Sequence, residues 1–310
     1  MKKRILAVCL TAMLLLLSAC GAASSPTTGA PRIAALTGPT AISMAYLLDN
    51  DGELYGAADE LTPRLIQGEV DIASIPINLA SVLYHKTGGG IRLLAVNVLG
   101  VLYITEYGSE EIVSFADLRG KTLYATGKGG VPESYLRRAL TENGLDPDKD
   151  VKIEWKSEPG EIVGLLSAQG GGVAMLPQPY VSAARDKLGD GFRTALSVSD
   201  AIGTGCVTAG IVVRTEYAEE HPGEVEAFLA AYADSADKVN SDPERTGVVC
   251  EGLFIADAAL VSAAIPDCHI VCLTGAEMKT AAENALGILA EENAAVVGGS
   301  LPGEDFYYGT

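Results

Sequence analysis

The chain has 310 residues, of which 48% are hydrophobic and 20% are charged. This composition is typical of folded globular proteins and excludes an intrinsically disordered chain. The formal net charge is −18, and the sequence has no basic stripe, so we expect no nucleic acid partner. The length leaves room for two packed lobes.

The first 19 residues have the pattern of a bacterial signal peptide. Met1–Arg4 is basic, and Ile5–Leu17 is apolar but too short for a comfortable membrane span. Leu17–Cys20 then resembles the lipobox of bacterial lipoproteins, in which the cysteine is lipid-modified and starts the mature chain. We therefore expect a signal peptide at 1–19, a flexible tether at 20–31, and attachment to the extracytoplasmic face of the cell membrane through lipid on Cys20.

The stretch after the tether predicts a strand, a tight turn and a helix. Ile33–Leu36 is a short apolar run that indicates a buried strand. The turn Thr37–Thr40 ends in a suitable N-cap, Thr40, for a helix with apolar residues at helical spacing through Leu48. The N–H groups at such a helix start can hold a partly negative group, and an ordinary strand–helix turn is the alternative.

Strand and helix patterns alternate along the rest of the chain, which indicates an α/β fold with crossover helices. Further strands are predicted at Val70–Ile75, Ile91–Val98, Val101–Thr105, Lys121–Ala125, Val151–Trp155, Val173–Leu176, Val207–Arg214 and His269–Leu273. Further helices are predicted at Glu60–Gln67, Pro76–Tyr84, Ser134–Asn143, Ile162–Ala168, Val181–Leu188, Pro222–Asn240, Pro243–Glu251, Asp257–Ala264 and Gly275–Glu292.

Cysteine and histidine spacing indicates neither a metal site nor a catalytic site. The Cys268–Cys272 segment, with His269 inside it, matches no common zinc pattern. We expect buried thiols, with a Cys250–Cys268 disulfide as the alternative in an oxidising compartment. The glycine-rich turn 126–131 fits neither a P-loop nor a dinucleotide fingerprint. No histidine lies in a nucleophile-elbow context, so we expect no cofactor, no metal and no catalytic residue.

Several segments carry a family resemblance when they are taken in order after the lipobox. They are DIASIPINLASVLY, SFADLRGKTLYATGKGGVPE, AMLPQPYVS and IPDCHIVCLTGAEMK. In this order they resemble the substrate-binding proteins of ABC importers, in the NMT1/THI5-like and aliphatic-sulfonate-binding-like group. The resemblance spans Pro31 to Tyr308. It implies a type 2 periplasmic-binding fold, in which two α/β lobes are joined by two crossing segments and a ligand lies in the cleft between them.

The resemblance also implies a domain division and a function. Lobe 1 would comprise 32–103 and 214–310, and lobe 2 would comprise 104–213, with crossings near Leu99–Thr105 and Val207–Arg214. The protein would be a monomer that captures a small molecule and delivers it to an ABC permease without making or breaking a bond. An extracytoplasmic enzyme or a ligand-sensing module on the same fold is the alternative.

Candidate ligand-binding residues lie in the loops and strand ends that face the implied cleft. They are Gly38, Pro39, Thr40, Ser74, Asn78 and Asn97 in lobe 1, and Gly129, Gly130, Val131 and Gln178 in lobe 2. A helix-surface position is the alternative for Asn78, and local hydrogen bonding to the main chain is the alternative for Asn97. We expect Tyr46 and Trp155 to pack rather than bind. No arginine falls in these loops, which argues against a highly charged anion as the ligand.

Overall fold

The computed structural model describes residues 30–49, 52–203, 206–253 and 256–310. The predicted signal peptide, nearly all of the tether and Cys20 lie outside the described residues. The strands are β1 (Ile33–Leu36), β2 (Glu53–Tyr55), β3 (Ile72–Pro76), β4 (Ile91–Val98), β5 (Leu102–Tyr107), β6 (Thr122–Ala125), β7 (Lys152–Trp155), β8 (Gly172–Pro177), β9 (Phe192–Ser197), β10 (Ala209–Arg214) and β11 (Ile270–Leu273).

Helices occupy the connections between most of these strands. They are α1 (Pro39–Ile42), α2 (Ala45–Leu48), α3 (Ala58–Gln67), α4 (Ile77–Thr87), α5 (Val131–Glu142), α6 (Pro159–Gln169), α7 (Tyr180–Leu188), α8 (Val198–Ile202), α9 (Thr215–Glu220), α10 (Pro222–Ser241), α11 (Pro243–Gly252), α12 (Ala258–Ala264) and α13 (Gly275–Asn293). Short 3₁₀ helices cover Phe115–Leu118, Gly189–Gly191, Ile265–Asp267, Ala294–Val297 and Glu304–Phe306.

The strands form two sheets with the same internal arrangement. The first has the order β11-β4-β10-β3-β1-β2, and the second has the order β7-β6-β8-β5-β9. In each sheet an antiparallel strand lies between two others: β10 between β3 and β4, and β5 between β8 and β9. The chain passes from β4 in the first sheet to β5 in the second, and it later returns from β9 in the second sheet to β10 in the first. Each sheet therefore contains one strand that follows a connection between the sheets. The predicted α/β fold of two lobes is confirmed.

We define lobe 1 by the first sheet and lobe 2 by the second. The crossing segments then include 99–101, between β4 and β5, and the described residues 206–208, directly before β10. β10 begins at Ala209, inside the range that the sequence assigns to lobe 2, and β5 begins at Leu102, inside the range that it assigns to lobe 1. These ends are set by pairing with strands far along the chain, which local sequence patterns do not report.

The opening strand is as predicted, but the helix after it starts earlier and is interrupted. Gly38 is the N-cap of α1, with φ of 102° and ψ of −152°, a conformation that is essentially restricted to glycine. Thr40 is therefore not the N-cap, and its hydroxyl instead donates to the carbonyl oxygens of Leu36 and Thr37. The predicted single helix is two one-turn helices, α1 and α2.

Apolar clusters cover the faces of both sheets. One cluster extends through both lobes and contains Leu93 of β4, Leu136 of α5 and Leu286 of α13. Trp155 packs against this cluster. Tyr46 packs against a second cluster, on the other face of the first sheet. Both aromatic rings thus contribute to packing, as expected from the sequence.

The four cysteines in the described residues carry free thiols. Cys250 and Cys268 are both fully buried, and burial raises the pKa of each thiol to about 12. The disulfide alternative is therefore not formed in this structure. Within the described ranges, no group of three or more His, Cys, Asp and Glu side chains is placed to hold a metal ion. None of the helices described there combines the length and apolarity of a membrane span.

The close contact between α11 and α12 depends on Gly247. A Cβ atom at this position would lie 2.3 Å from the carbonyl oxygen of Ala258, so the main chain of α12 would have to move. We expect Gly247→Ala to lower the free energy of unfolding by about 2 kcal/mol, although alanine is the better helix former. Denaturant unfolding measures this change.

Gly164 of α6 provides the matched control. A Cβ atom there would meet nothing within 4 Å. Gly164→Ala should therefore raise the free energy of unfolding by up to about 1 kcal/mol, through helix propensity alone. If Gly247→Ala were stabilising to the same extent, the tight packing of α11 on α12 would be contradicted.

Asp71 ties together three strand ends in lobe 1. Its buried carboxylate accepts from Arg32 Nε at 2.8 Å and from Arg214 Nη1 at 3.2 Å. Burial raises the pKa of Asp71, but these hydrogen bonds outweigh burial and hold the pKa below its usual value. The carboxylate therefore stabilises the fold above the ordinary aspartate pKa of about 3.9, and this contribution is lost as the pH falls through the lower folded-state pKa.

We expect Asp71→Asn to lower the free energy of unfolding at pH 7 by about 2 kcal/mol, because both arginines lose a charged partner. The value lies below that for a fully buried ion pair because the Arg32 side chain is 55% exposed. Urea unfolding at pH 7 and below pH 4 checks this. The difference in the free energy of unfolding between Asp71→Asn and the unsubstituted protein should be smaller below pH 4 than at pH 7. An equal difference at both pH values would contradict the role of the ionised carboxylate.

Candidate functional site

A cavity of about 420 Å³ lies between the two lobes. It is formed where strands β1, β3 and β8 end and where helices α1, α4, α5 and α7 begin, which is where open α/β sheets bind ligands. Its lining consists of Thr37, Gly38, Pro39, Pro76 and Asn78 of lobe 1, Val101 and Thr208 in the crossings, and Leu102, Gly130, Val131, Pro132, Pro177, Gln178, Pro179 and Tyr180 of lobe 2.

Proline residues give this cavity rigid walls. Five of the lining residues are prolines, and they lie at strand ends and helix starts in both lobes. Proline fixes its own φ angle near −65°, and at the first turn of a helix its missing N–H leaves no broken intrahelical bond. Each of these prolines therefore restricts the main chain at its own point of the wall.

The structure brings together six of the ten predicted ligand-binding residues. Gly38, Pro39, Asn78, Gly130, Val131 and Gln178 all line the interlobe cavity. They come from both lobes, as the resemblance implied. Their part in binding a ligand stays a prediction.

Three other candidates lie behind the wall of lobe 1, in a buried hydrogen-bond network. Asn97 Nδ2 donates to Ser43 Oγ at 2.8 Å and to Ser74 Oγ at 2.7 Å. Ser43 Oγ donates to the carbonyl oxygen of Thr40 at 2.8 Å. The network connects β3 and β4 to the break between α1 and α2. Ser74, Asn97 and Thr40 are therefore placed to support the cavity wall and do not line the cavity.

The fourth candidate, Gly129, lines a different and smaller cavity of about 200 Å³. Its N–H donates to Glu133 Oε2 at 2.6 Å. Arg137 and Glu292 also line this second cavity, which therefore lies between α5 of lobe 2 and α13 of lobe 1. The glycine-rich turn thus contributes Gly130 to one cavity and Gly129 to another.

Gln178 joins the two lobes as well as lining the interlobe cavity. Its side chain is 2% exposed, and its Nε2 donates to Asp267 Oδ2 of lobe 1 at 3.0 Å. Its Oε1 accepts from the Ser182 N–H at 3.3 Å and from the Ser182 hydroxyl at 3.1 Å. Gln178 therefore satisfies an N–H in the first turn of α7 and connects that helix to lobe 1.

Tyr103 of β5 makes a second bond to the same point of lobe 1. Its hydroxyl donates to the carbonyl oxygen of Asp267 at 2.8 Å. Burial, with the nearby Asp267 carboxylate, raises the pKa of Tyr103, which keeps the hydroxyl protonated as a donor. Elsewhere, Arg138 of α5 pairs with Glu291 of α13 at 2.9 Å. The two lobes are therefore bonded to each other at more than one place.

The crossing segments are hydrogen-bonded to both lobes. In the second crossing, Thr208 O accepts from Ile77 N–H of lobe 1 at 3.1 Å, and Val207 O accepts from the Tyr135 hydroxyl of lobe 2 at 2.7 Å. In the first crossing, the ring Nδ1 of His269 lies 2.6 Å from Gly100 O. Any rotation of one lobe against the other must be absorbed at these two segments.

Several lining residues were missed at the sequence level. They are Thr37, Pro76, Val101, Leu102, Pro132, Pro177, Pro179, Tyr180 and Thr208. The segment Ala174–Ser182, which carries part of the family resemblance, contains Pro177, Pro179 and Tyr180, so that motif held a signal for them. Leu102 and Val101 read as ordinary apolar strand residues, and nothing local distinguishes them.

Comparisons with known proteins agree with this geometry. The sequence model described as NMT1/THI5-like matches residues 91–246, half of the chain. The chain has no match among curated proteins. A crystal structure described as an ABC transporter from Parabacteroides distasonis is similar with 27% identity and a TM-score of 0.77, and the match covers 90% of this chain and 98% of that one.

More distant structures share the fold. The periplasmic aliphatic sulphonate binding protein SsuA from Escherichia coli has 18% identity and a TM-score of 0.69, covering 87% of this chain and 89% of that one. The ligand-binding component of an ABC-type import system from Staphylococcus aureus, solved with zinc bound, has 16% identity and a TM-score of 0.67, covering 90% and 96%. The family match, the two-lobed topology and the interlobe cavity agree, and the chain belongs to the NMT1/THI5-like family.

Proposed function

We propose that this protein is the extracytoplasmic solute-binding component of an ABC importer, and that it captures a small molecule in the interlobe cavity. The observation that carries the proposal is the cavity itself, because residues of both lobes and both crossings line it. A cavity of about 420 Å³ is of the size that binds small organic molecules. The related structures, which include components of import systems, support the same role.

Closure of the lobes on the ligand is the mechanism that fits this geometry. A ligand that contacts both walls binds better when the lobes are together, so its binding shifts the equilibrium from the open to the closed arrangement. The lining residues include no histidine, cysteine or carboxylate within the described part of the chain, which supports capture without chemistry.

The experiment is small-angle X-ray scattering of the purified protein with and without a small-molecule filtrate of yeast extract. We expect the filtrate to reduce the radius of gyration and to raise the thermal unfolding midpoint together. A stable protein whose radius and unfolding midpoint both stay unchanged would count against capture by lobe closure. A loss of filtrate components over time, with new products formed, would favour the enzyme alternative.

We also propose that the protein is a lipoprotein held to the membrane through Cys20. The support is the Leu-Ser-Ala-Cys motif directly after the apolar segment. Cys20→Ala should abolish labelling of the protein with a radioactive fatty acid. Labelling of Cys20→Ala at the level of the unsubstituted protein would overturn the lipid anchor without affecting the binding function.

A further inference from the structure

The cavity wall carries no formal charge. Across the described residues, none of the fifteen that line the cavity is Asp, Glu, Lys, Arg or His. The polar side chains on the wall belong to Thr37, Asn78, Gln178, Tyr180 and Thr208. An ionised group buried without a charged or strongly hydrogen-bonded partner is disfavoured relative to water. The side chains therefore provide no counter-charge for an ionic ligand.

The helix starts at the cavity offer fewer free main-chain donors than helix starts usually do. Pro39 and Pro132 occupy the first turns of α1 and α5 and have no N–H to donate. The Ile77 N–H at the start of α4 already donates to Thr208 O, and the Ser182 N–H in the first turn of α7 already donates to Gln178 Oε1. Each helix start at the cavity has thus lost or committed a donor that an anion would use.

A negative charge lies directly behind the wall. The Asp267 carboxylate accepts from Gln178 Nε2 at 3.0 Å, and Gln178 lines the cavity. The hydrogen bond polarises this amide toward Asp267 and uses one of its two N–H groups. An anion beside Gln178 would be repelled by this carboxylate.

The other lining residues suit a ligand that is largely apolar and has a few hydrogen-bonding groups. Val101, Leu102 and Val131 supply apolar contact. Tyr180, whose side chain is 38% exposed, places an aromatic ring at the cavity. Asn78 and the remaining N–H of Gln178 supply polar contacts that suit a carbonyl, hydroxyl or ring nitrogen.

We propose that the interlobe cavity selects an uncharged, largely apolar small molecule and rejects anions. The inference rests on the proposed function, since it concerns the ligand of the same cavity. It separates this chain from the E. coli protein described as binding aliphatic sulphonate, with which it shares the fold at 18% identity. The selection follows from an uncharged wall, a reduced number of free helix-start donors and the carboxylate of Asp267.

The test divides a small-molecule filtrate of yeast extract by charge. Passage over an anion exchanger and a cation exchanger at pH 7 yields an uncharged, an anionic and a cationic fraction. Each fraction is titrated into exhaustively dialysed protein while the thermal unfolding midpoint is recorded, with methanesulfonate and ethanesulfonate as single anionic probes. We expect the uncharged fraction to stabilise the protein, with a half-saturating dilution that changes by less than about twofold between low and high salt.

The alternative outcomes separate the inference from the proposed function. Stabilisation by the anionic fraction, the cationic fraction or either sulfonate would overturn the selection for an uncharged ligand and leave solute capture standing. If no fraction stabilised the protein, solute capture would fail, and the inference would fail with it. Molecules retained through purification and released by denaturation give a second readout, since an ionised one bound in the cavity would also overturn the inference.

Discussion

Val131→Arg should abolish ligand-induced stabilisation of this protein. Val131 is the first residue of α5, is 8% exposed and lines the interlobe cavity. Arginine there would place a long side chain and a charge where the wall is apolar. The charge would be desolvated by any uncharged ligand that entered. We expect binding to weaken by at least about 100-fold, which corresponds to about 2.7 kcal/mol.

The measurement is the dilution of yeast-extract filtrate that gives half of the maximal rise in the thermal unfolding midpoint. Val248→Arg is the matched control, because Val248 is also a helical valine but is 64% exposed on α11, away from the cavity. Val248→Arg should give the same half-maximal dilution of filtrate as the unsubstituted protein. Binding by Val131→Arg at the level of Val248→Arg would show that the ligand does not occupy this cavity.

A second variant covers the case in which Val131→Arg fails to fold. Tyr180→Ala removes an exposed aromatic ring from the cavity without disturbing the core. We expect it to fold normally and to weaken binding by about tenfold, the loss expected for one aromatic contact. Unchanged binding by Tyr180→Ala would show that this aromatic ring does not contribute to ligand binding.

Local sequence patterns predict the bounds of those strands and helices that are determined by neighbouring residues. β1 and β4 have the predicted bounds, because a short apolar run between turn residues defines a buried strand without reference to its neighbours. The helices α3 and α4 end at Gly68 and Gly88, which adopt left-handed conformations at the C-caps, and a glycine in this place is a local signal for a helix end. Each of these signals lies within a few residues of the element it determines.

Elements that depend on distant partners were not predicted. β2 has only three residues, and it exists because it pairs in parallel with β1. The interruption between α1 and α2 places Ser43 beside Asn97 and Ser74, which come from two other strands. Asn97 and Ser74 end in a supporting network for this reason, although polar residues in apolar strands near the cleft resemble ligand contacts when read in sequence.

Gln178 shows that the candidate site, too, depends on contacts between distant residues that local sequence patterns cannot predict. The sequence places it at a strand end in lobe 2 and predicts a ligand contact. Its residue type and position contain no information about Asp267, which lies 89 positions further along the chain. The lobe-to-lobe hydrogen bond, and with it the negative charge behind the wall, becomes visible only in three dimensions.

Removing both bonds to Asp267 should open the lobes. Asp267→Ala removes the carboxylate that accepts from Gln178, and Tyr103→Phe removes the hydroxyl that donates to the Asp267 carbonyl. A buried hydrogen bond to a charged group contributes about 2 kcal/mol, and one between neutral groups contributes about 1 kcal/mol. The double variant should therefore favour the open arrangement by about 3 kcal/mol, or roughly 100-fold, relative to the unsubstituted protein.

Scattering and binding measure this shift independently. The radius of gyration of the ligand-free double variant should exceed that of the unsubstituted protein, and its binding of the yeast-extract filtrate should weaken because closure is less favourable. The radius of gyration and the affinity of each single variant should lie between those of the unsubstituted protein and the double variant, since each single variant removes one bond. Tyr124→Phe is the control, because the Tyr124 hydroxyl bonds only to Gln169 of its own lobe among the described contacts. A double variant with the radius and affinity of Tyr124→Phe would mean that the Asp267 bonds do not hold the lobes together.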